Sequence, residues 1–239
     1  EVDCSTVFLN QYCSAPLIIG AMTGGCEHGE AINRHLAEAA EHCQIPMALG
    51  SQRAALQDGL PQDVRRWAPE AMLLGNIGAT QLQQHGVELA QRAVDSVQAN
   101  AMIIHLNPLQ ELVQPQGDRD WRGVLDAIEA CCATLSVPVI IKEVGSGIGP
   151  SSAQRLIDVG VNFIEVAGRG GTSWASIENA RIEQTREQQI AAPFLDWGMN
   201  TAELIPRVRS QSSQLGLIAS GGLRNGLDIA RSLRLGANI

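Results

Sequence analysis

The feature that most constrains this chain is a recurring unit. Seven short apolar runs, at residues 16–22, 46–50, 72–77, 101–106, 137–144, 162–167 and 215–219, each run into Gly, Asn or Ser. They are nearly continuous rather than alternating, as expected of strands buried on both faces of a parallel sheet. Between most of them lies a segment of helical period. Ile32, Leu36, Ala39 and Cys43 share one face, as do Val87, Ala90, Val94 and Val97, and Val124, Ile128 and Cys131. Asn225 is placed to cap a helix over 227–234 and Gly236 to stop it. The units recur at roughly 25–35 residues, the spacing that βαβ crossovers require.

A doubly wound open sheet is the rival architecture. The number of units favours an α/β chain folded as a TIM (β/α)8 barrel, a single domain over 1–239. Ala237-Asn238-Ile239 then begins an eighth strand, with the rest of the eighth strand and helix missing from the given chain. The longest connection, 168–214, is expected to be a functional loop.

Composition narrows the function. A net charge of −8 argues against nucleic acid or an acidic membrane surface as main partner. No apolar run is long enough to span a bilayer and no signal-type segment opens the chain, so a cytoplasmic protein is expected. Cys4, Cys13, Cys26, Cys43, Cys131 and Cys132 follow no C-x-x-C pattern, and are expected as buried thiols in a reducing compartment. Of 17 basic residues, 16 are Arg and only Lys142 is Lys. Inside the run Val139-Ile140-Ile141-Lys142-Glu143-Val144 it must reach water or meet an anion.

In a barrel the chemistry gathers at the C-terminal ends of the strands. Those ends read Met22-Thr23-Gly24-Gly25, Ser51-Gln52-Arg53, Gly75-Asn76-Ile77-Gly78-Ala79, His105-Leu106-Asn107-Pro108-Leu109-Gln110-Glu111, Lys142, Gly168-Arg169-Gly170-Gly171-Thr172-Ser173 and Ser220-Gly221-Gly222. Together they form one polar, glycine-rich rim. Ser220-Gly221-Gly222 occupies the barrel's usual phosphate position, ahead of a capped helix N-terminus. Lys142 either faces the far end of such a ligand, where a fixed cation beside a flavin ring stabilises the anionic reduced form, or neutralises a carboxylate such as Glu165. His105 and Asn107 share strand parity and point the same way. Glu111 suits Mg²⁺ shared with a diphosphate.

These motifs, in this order, resemble type 2 isopentenyl diphosphate isomerase, the FMN-dependent form. The matching stretches include Ala21-Met22-Thr23-Gly24-Gly25, Gly50-Ser51-Gln52-Arg53, His105-Leu106-Asn107-Pro108-Leu109-Gln110-Glu111, Lys142-Glu143-Val144-Gly145-Ser146-Gly147, Gly170-Gly171-Thr172-Ser173-Trp174 and Asp196-Trp197-Gly198. The resemblance implies interconversion of isopentenyl and dimethylallyl diphosphate, with reduced FMN, Mg²⁺ and NADPH as reductant, in a homo-oligomer that binds neither nucleic acid nor membrane. It implies that Ala21, Met22, Thr23, Ser51, Asn76, Lys142, Thr172, Gly221 and Gly222 hold FMN. Ser51, Gln52, Arg53, His105, Asn107 and Gln110 would face substrate, Gln110 would serve catalysis and Glu111 would bind the metal.

The family opens with a basic segment that clamps the diphosphate, and its eighth strand completes the phosphate site, so a longer natural protein is expected. An FMN-dependent 2-hydroxy-acid oxidase is the nearest rival, but the loop after the sixth run offers no His base. A non-catalytic flavin or phosphate scaffold is the other.

Overall fold

A computed structural model describes residues 2–24, 28–60 and 62–239; Gly25 and Cys26 lie outside them. The chain opens with a feature the apolar pattern did not signal, an antiparallel hairpin of β1 (Thr6–Phe8) and β2 (Gln11–Cys13). Leu9 and Asn10 join them with φ of 49° and 61°, the left-handed pair that a tight two-residue hairpin turn requires.

Six parallel strands follow: β3 (Met47–Ala48), β4 (Leu73–Gly78), β5 (Ala101–Leu106), β6 (Val139–Glu143), β7 (Phe163–Glu165) and β8 (Gly216–Ile218). Their spatial order is their chain order. That decides between the rival architectures, because a doubly wound sheet must reverse at a switch point and a barrel wall never does. The wall continues at both ends. Ile19 bridges in parallel to Met47, and Asn238 N donates to Leu217 O at 2.7 Å.

Two expectations need correction. Segment 16–22 forms a single bridge at Ile19 rather than a strand. Pro16 has no N–H to give, and its neighbour β3 is itself only two residues long. The connection 168–214 is not a long loop, for it contains helices Trp174–Arg181, Thr185–Ala191 and Thr201–Arg209. The last helix forms as expected over Gly226–Leu235, where the Asn225 side chain accepts from Asp228 N and Gly236 ends it at φ 120°.

Strand parity separates two cores. Side chains such as Leu73, Ile77, Ile104, Ile141 and Leu217 face the surrounding helices. Those of the opposite parity, Leu74, Ile103, Ile140 and Ile218, fill the barrel interior with Phe163, Ile239 and the hairpin's Phe8 and Cys13. Phe8 meets Phe163 edge to face at 5.9 Å, so the hairpin plugs the N-terminal end of the barrel.

At that end the same staple occurs twice. Asn100 Oδ1 accepts from Leu73 N and from Arg65, whose guanidinium also donates to the carbonyls of Ala68, Pro69, Ala71 and Gln98. Asn238 Oδ1 accepts from Leu217 N and from Arg209, which donates to the carbonyls of Gly236, Ser212, Ser213 and Leu215. Burial lowers the pKa of both guanidinium groups. These two arginines are therefore structural parts of the fold.

Candidate active site

Above the apolar floor the inward parity turns polar. His105, Lys142 and Glu165 are register partners on β5, β6 and β7, one step above Ile103, Ile140 and Phe163. Asn76 on β4 joins them, accepting from His105 Nδ1 at 2.9 Å. Because Asn76 Nδ2 is committed to Leu49 O at 2.9 Å, its oxygen is the acceptor. His105 therefore carries its proton on Nδ1 and leaves Nε2 as a bare acceptor. Desolvation in the barrel, with the Lys142 charge beside it, pushes the His105 pKa down to about 3, so the ring is neutral.

Lys142 pairs with Glu165, as one of its two sequence readings expects, and it also borders a cavity. Its ammonium donates to Glu143 O at 2.7 Å and lies 3.4 Å from Glu165 Oε1, yet the residue lines the cavity above. One of its three N–H donors is hydrogen-bonded to the chain, so the ammonium keeps donor capacity for a ligand. Glu165 Oε1 also accepts from Ser220 Oγ at 2.7 Å.

The cavity, of about 250 Å³, gathers Ala21, Met22, Ser51, Arg53, Asn76, His105, Asn107, Gln110, Glu111 and Lys142, with Trp174 on its wall. Helix Pro108–Val113 starts at Asn107 with a proline in its first turn, which suits the missing N–H of that position. It presents Gln110 and Glu111 directly above β5. Asn107 Nδ2 donates to Gln110 Oε1 at 3.2 Å and to Glu111 Oε1 at 2.9 Å, while Glu111 Oε2 accepts from Asp118 N at 2.7 Å.

Five of the expected site residues lie elsewhere. Gln52 is buried and turned away from the cavity. Its amide nitrogen meets Gln62, Ala93 O and Ser96, and its oxygen takes Asn76 N at 2.7 Å. It thus braces Asn76 and the Ser51 loop from behind. Thr23 borders a neighbouring cavity on the far side of that loop. Thr172 stands exposed on the rim, its carbonyl close against Gly145. Gly221 and Gly222 line a separate cavity of about 450 Å³, shared with Ser220, Arg224, Asn225, Glu165, Pro16, Leu17, Ile18 and Gly20.

One residue escaped the sequence reading. Glu178, buried on helix Trp174–Arg181, accepts from Gln110 Nε2 at 3.0 Å. The available signal was its position four residues after Trp174, on the same helix face. The expectation of buried thiols also fails in part, since Cys4 and Cys43 are exposed; the five described cysteines are free.

The donor set fits an FMN-like ligand. Gly221 and Gly222 have φ of 103° and 85°, and a Cβ on either would collide with the carbonyl of Gly168 or Gly170. The loop is therefore backbone-lined ahead of a capped helix, the arrangement that receives a phosphate. A hard cation also fits. Among the described residues no three His, Cys, Asp or Glu side chains form a metal cluster. Mg²⁺ shared with a diphosphate needs only one carboxylate, and beside Glu111 the buried Asn107 Oδ1 has no protein partner.

Comparison with known proteins identifies the family and the fold. Residues 79–239 match the family of FMN-dependent dehydrogenases. Over its full length the chain is 51% identical to an isopentenyl-diphosphate delta-isomerase of Stutzerimonas stutzeri (strain A1501), spanning 70% of that protein. It is 46% identical to that of Nostoc sp., spanning 69%. Among solved structures, a lactate oxidase of Pediococcus acidilactici superposes with a TM-score of 0.71 at 15% identity, matching all of this chain and 65% of that one. A mandelate oxidase with an FMN adduct gives 0.65 at 14%, matching 99% of this chain and 67% of that one. At such identities these two speak for the barrel alone.

Proposed function

The chain belongs to the isopentenyl-diphosphate delta-isomerases, within the FMN-dependent dehydrogenase family, and from that premise we propose how its residues serve the interconversion of isopentenyl and dimethylallyl diphosphate. The observation that carries the proposal is one cavity holding Arg53, Asn107, Gln110, Glu111 and Lys142 together.

Ser51, Asn76 and Lys142 would hold the flavin ring, and the backbone at Gly221 and Gly222 its phosphate. When bound and reduced by NADPH, FMN would supply a site of proton exchange next to the substrate alkene. Lys142 would supply the positive charge that favours an anionic reduced ring. Neutral His105 adds no second cation there and offers Nε2 as an acceptor. Arg53 would meet the diphosphate as a bidentate partner. Glu111, with Asn107 Oδ1, would bind Mg²⁺ at the diphosphate oxygens.

Gln110 and Glu178 supply the polar face towards the alkene carbons. Gln110 is fixed from both sides, accepting from Asn107 and donating to Glu178. A carboxylate behind a neutral amide can hold or pass a proton without placing full charge against the hydrocarbon. A 2-hydroxy-acid oxidase would need a His base after β7, and Gly168-Arg169-Gly170-Gly171-Thr172 supplies none.

No helix of the described residues is long and apolar enough to cross a membrane. Free cysteines suit a reducing, cytoplasmic setting, and a symmetric homo-oligomer is the usual state of such barrels. The test is turnover of isopentenyl diphosphate by the full-length protein with FMN, NADPH and Mg²⁺ under anaerobic conditions. Oxidation of 2-hydroxy acids without isomerisation would replace this reading with the oxidase one.

A further inference from the structure

The geometry points to Glu165 as a positioning residue that sets how strongly the site prefers an anionic over a neutral flavin ring, an inference that rests on the flavin reading above. Three observations carry it. Glu165 is the register partner of Lys142, and its Oε1 lies 3.4 Å from the ammonium, with the two side chains only 10% and 9% exposed. The same oxygen accepts from Ser220 Oγ at 2.7 Å. Glu165 also lines the cavity of the Ser220-Gly221-Gly222 loop, while Lys142 lines the cavity of Gln110 and Glu111. One carboxylate therefore stands between the phosphate loop and the cation at the other end of the flavin site.

A buried ion pair is weak evidence for a stabilising role, since an apolar pair of similar volume often serves the fold as well. Its placement at a ligand cavity has a clearer consequence. Lys142 can be neutralised by Glu165 or by a ligand anion, and at these distances the two compete. Reduction of the bound ring takes up two electrons and one proton, so the neutral oxidised ring gains one net negative charge. Glu165 diminishes the pull of Lys142 on that charge and so tempers the preference for the reduced form. Ser220 holds Glu165 on Lys142 by a hydrogen bond to its carboxylate. The main chain of Ser220 is in turn fixed to the start of helix Thr201–Arg209, its carbonyl accepting from Thr201 Oγ1 at 2.9 Å.

The test measures FMN affinity of the full-length protein in the oxidised and dithionite-reduced states, with the potential read against a reference dye. Glu165→Gln is expected to raise the preference for reduced over oxidised FMN about tenfold, about 30 mV for a two-electron couple. Ser220→Ala should move it the same way by about twofold. Placed on Lys142→Met, Glu165→Gln should change the ratio less than twofold, because no cation remains to be released. An unchanged ratio, a shift towards the oxidised form, or an equal shift in the Lys142→Met background would overturn the inference. If Glu165→Gln alone does not fold, Ser220→Ala and the double variant, which buries no unpaired charge, decide by the same criteria. Failure of the unmodified protein to bind FMN in either state would instead remove the flavin reading, and this inference with it.

Discussion

The two ends of the barrel wall use polar groups in opposite ways. At the N-terminal end, Arg65 and Arg209 donate to carbonyls and to Asn100 and Asn238, which in turn tie the backbone of neighbouring wall strands. At both stations the guanidinium and the Asn side-chain oxygen are engaged in hydrogen bonds to the chain around them. At the C-terminal end the polar groups are satisfied only in part. Lys142 keeps a spare donor, Asn107 Oδ1 is buried without a partner, and Ala167 holds a left-handed φ of 41° that a side chain rarely adopts. Completed polar networks hold a fold in one arrangement, and incomplete ones store binding capacity for a ligand. The barrel separates stability from function along its axis.

That separation can be broken from either end. At the N-terminal end, Arg65→Met or Arg209→Met should each lower unfolding stability by about 3 kcal/mol, since several charge-assisted hydrogen bonds to part-buried carbonyls disappear together. Urea unfolding measures the loss, and kcat per folded molecule should stay within about twofold. At the rim, Gln110→Ala should do the reverse. We expect kcat/KM to fall about 100-fold, roughly 2.7 kcal/mol of transition-state stabilisation, with stability changed by less than about 1 kcal/mol. A rim variant that unfolds the protein, or a staple variant that silences it while folded, would erase the distinction.

A finer division within the rim follows from Glu111 and Lys142. Glu111→Gln keeps the acceptor for Asp118 N but removes the charge that the proposed Mg²⁺ site would use. The half-saturating Mg²⁺ should rise about tenfold, roughly 1.4 kcal/mol, while FMN affinity measured by fluorescence stays unchanged. Weakened FMN binding in that variant would assign Glu111 to the wrong ligand.

Legibility from sequence follows the same axis. The six regular strands and their order were readable because each is an apolar run of fixed parity, and Lys142, His105 and Asn76 stood out as polar interruptions inside such runs. Gln52 was misread because a sequence shows its place beside Ser51 and Arg53 but not that the chain there turns into a helix at Arg53, which swings the amide behind the wall. Glu178 was missed because its partner Gln110 lies 68 residues away, and no local pattern links them. The Arg65 and Arg209 staples were hidden for a third reason. Arginine in the last turn of a helix looks like any surface charge until the carbonyls that converge on it are known. Thr6–Phe8 and Gln11–Cys13 read TVF and QYC and belong to no continuous apolar run, so nothing in the pattern marks them as strands.

His105 supplies the smallest effect and the sharpest sign. Its pKa falls from 6.5 to about 3, first because the ring is desolvated and second because Lys142 is nearby. In the unfolded chain the ring takes up its proton near pH 6.5, whereas in the folded protein it resists until about pH 3. Between those values the unfolded state binds more protons, so stability increases with pH through the window and is lost as pH falls below 6.5. Above the window His105 contributes no pH dependence. His105→Gln keeps an N–H for Asn76 Oδ1 but cannot titrate. Lowering the pH from 8 to 6 should therefore cost the unmodified protein about 0.8 kcal/mol more than the variant, read as the difference between their urea midpoints at each pH. Equal losses would mean that the ring is protonated in the folded protein, and a cation next to Lys142 would then have to be written into the site.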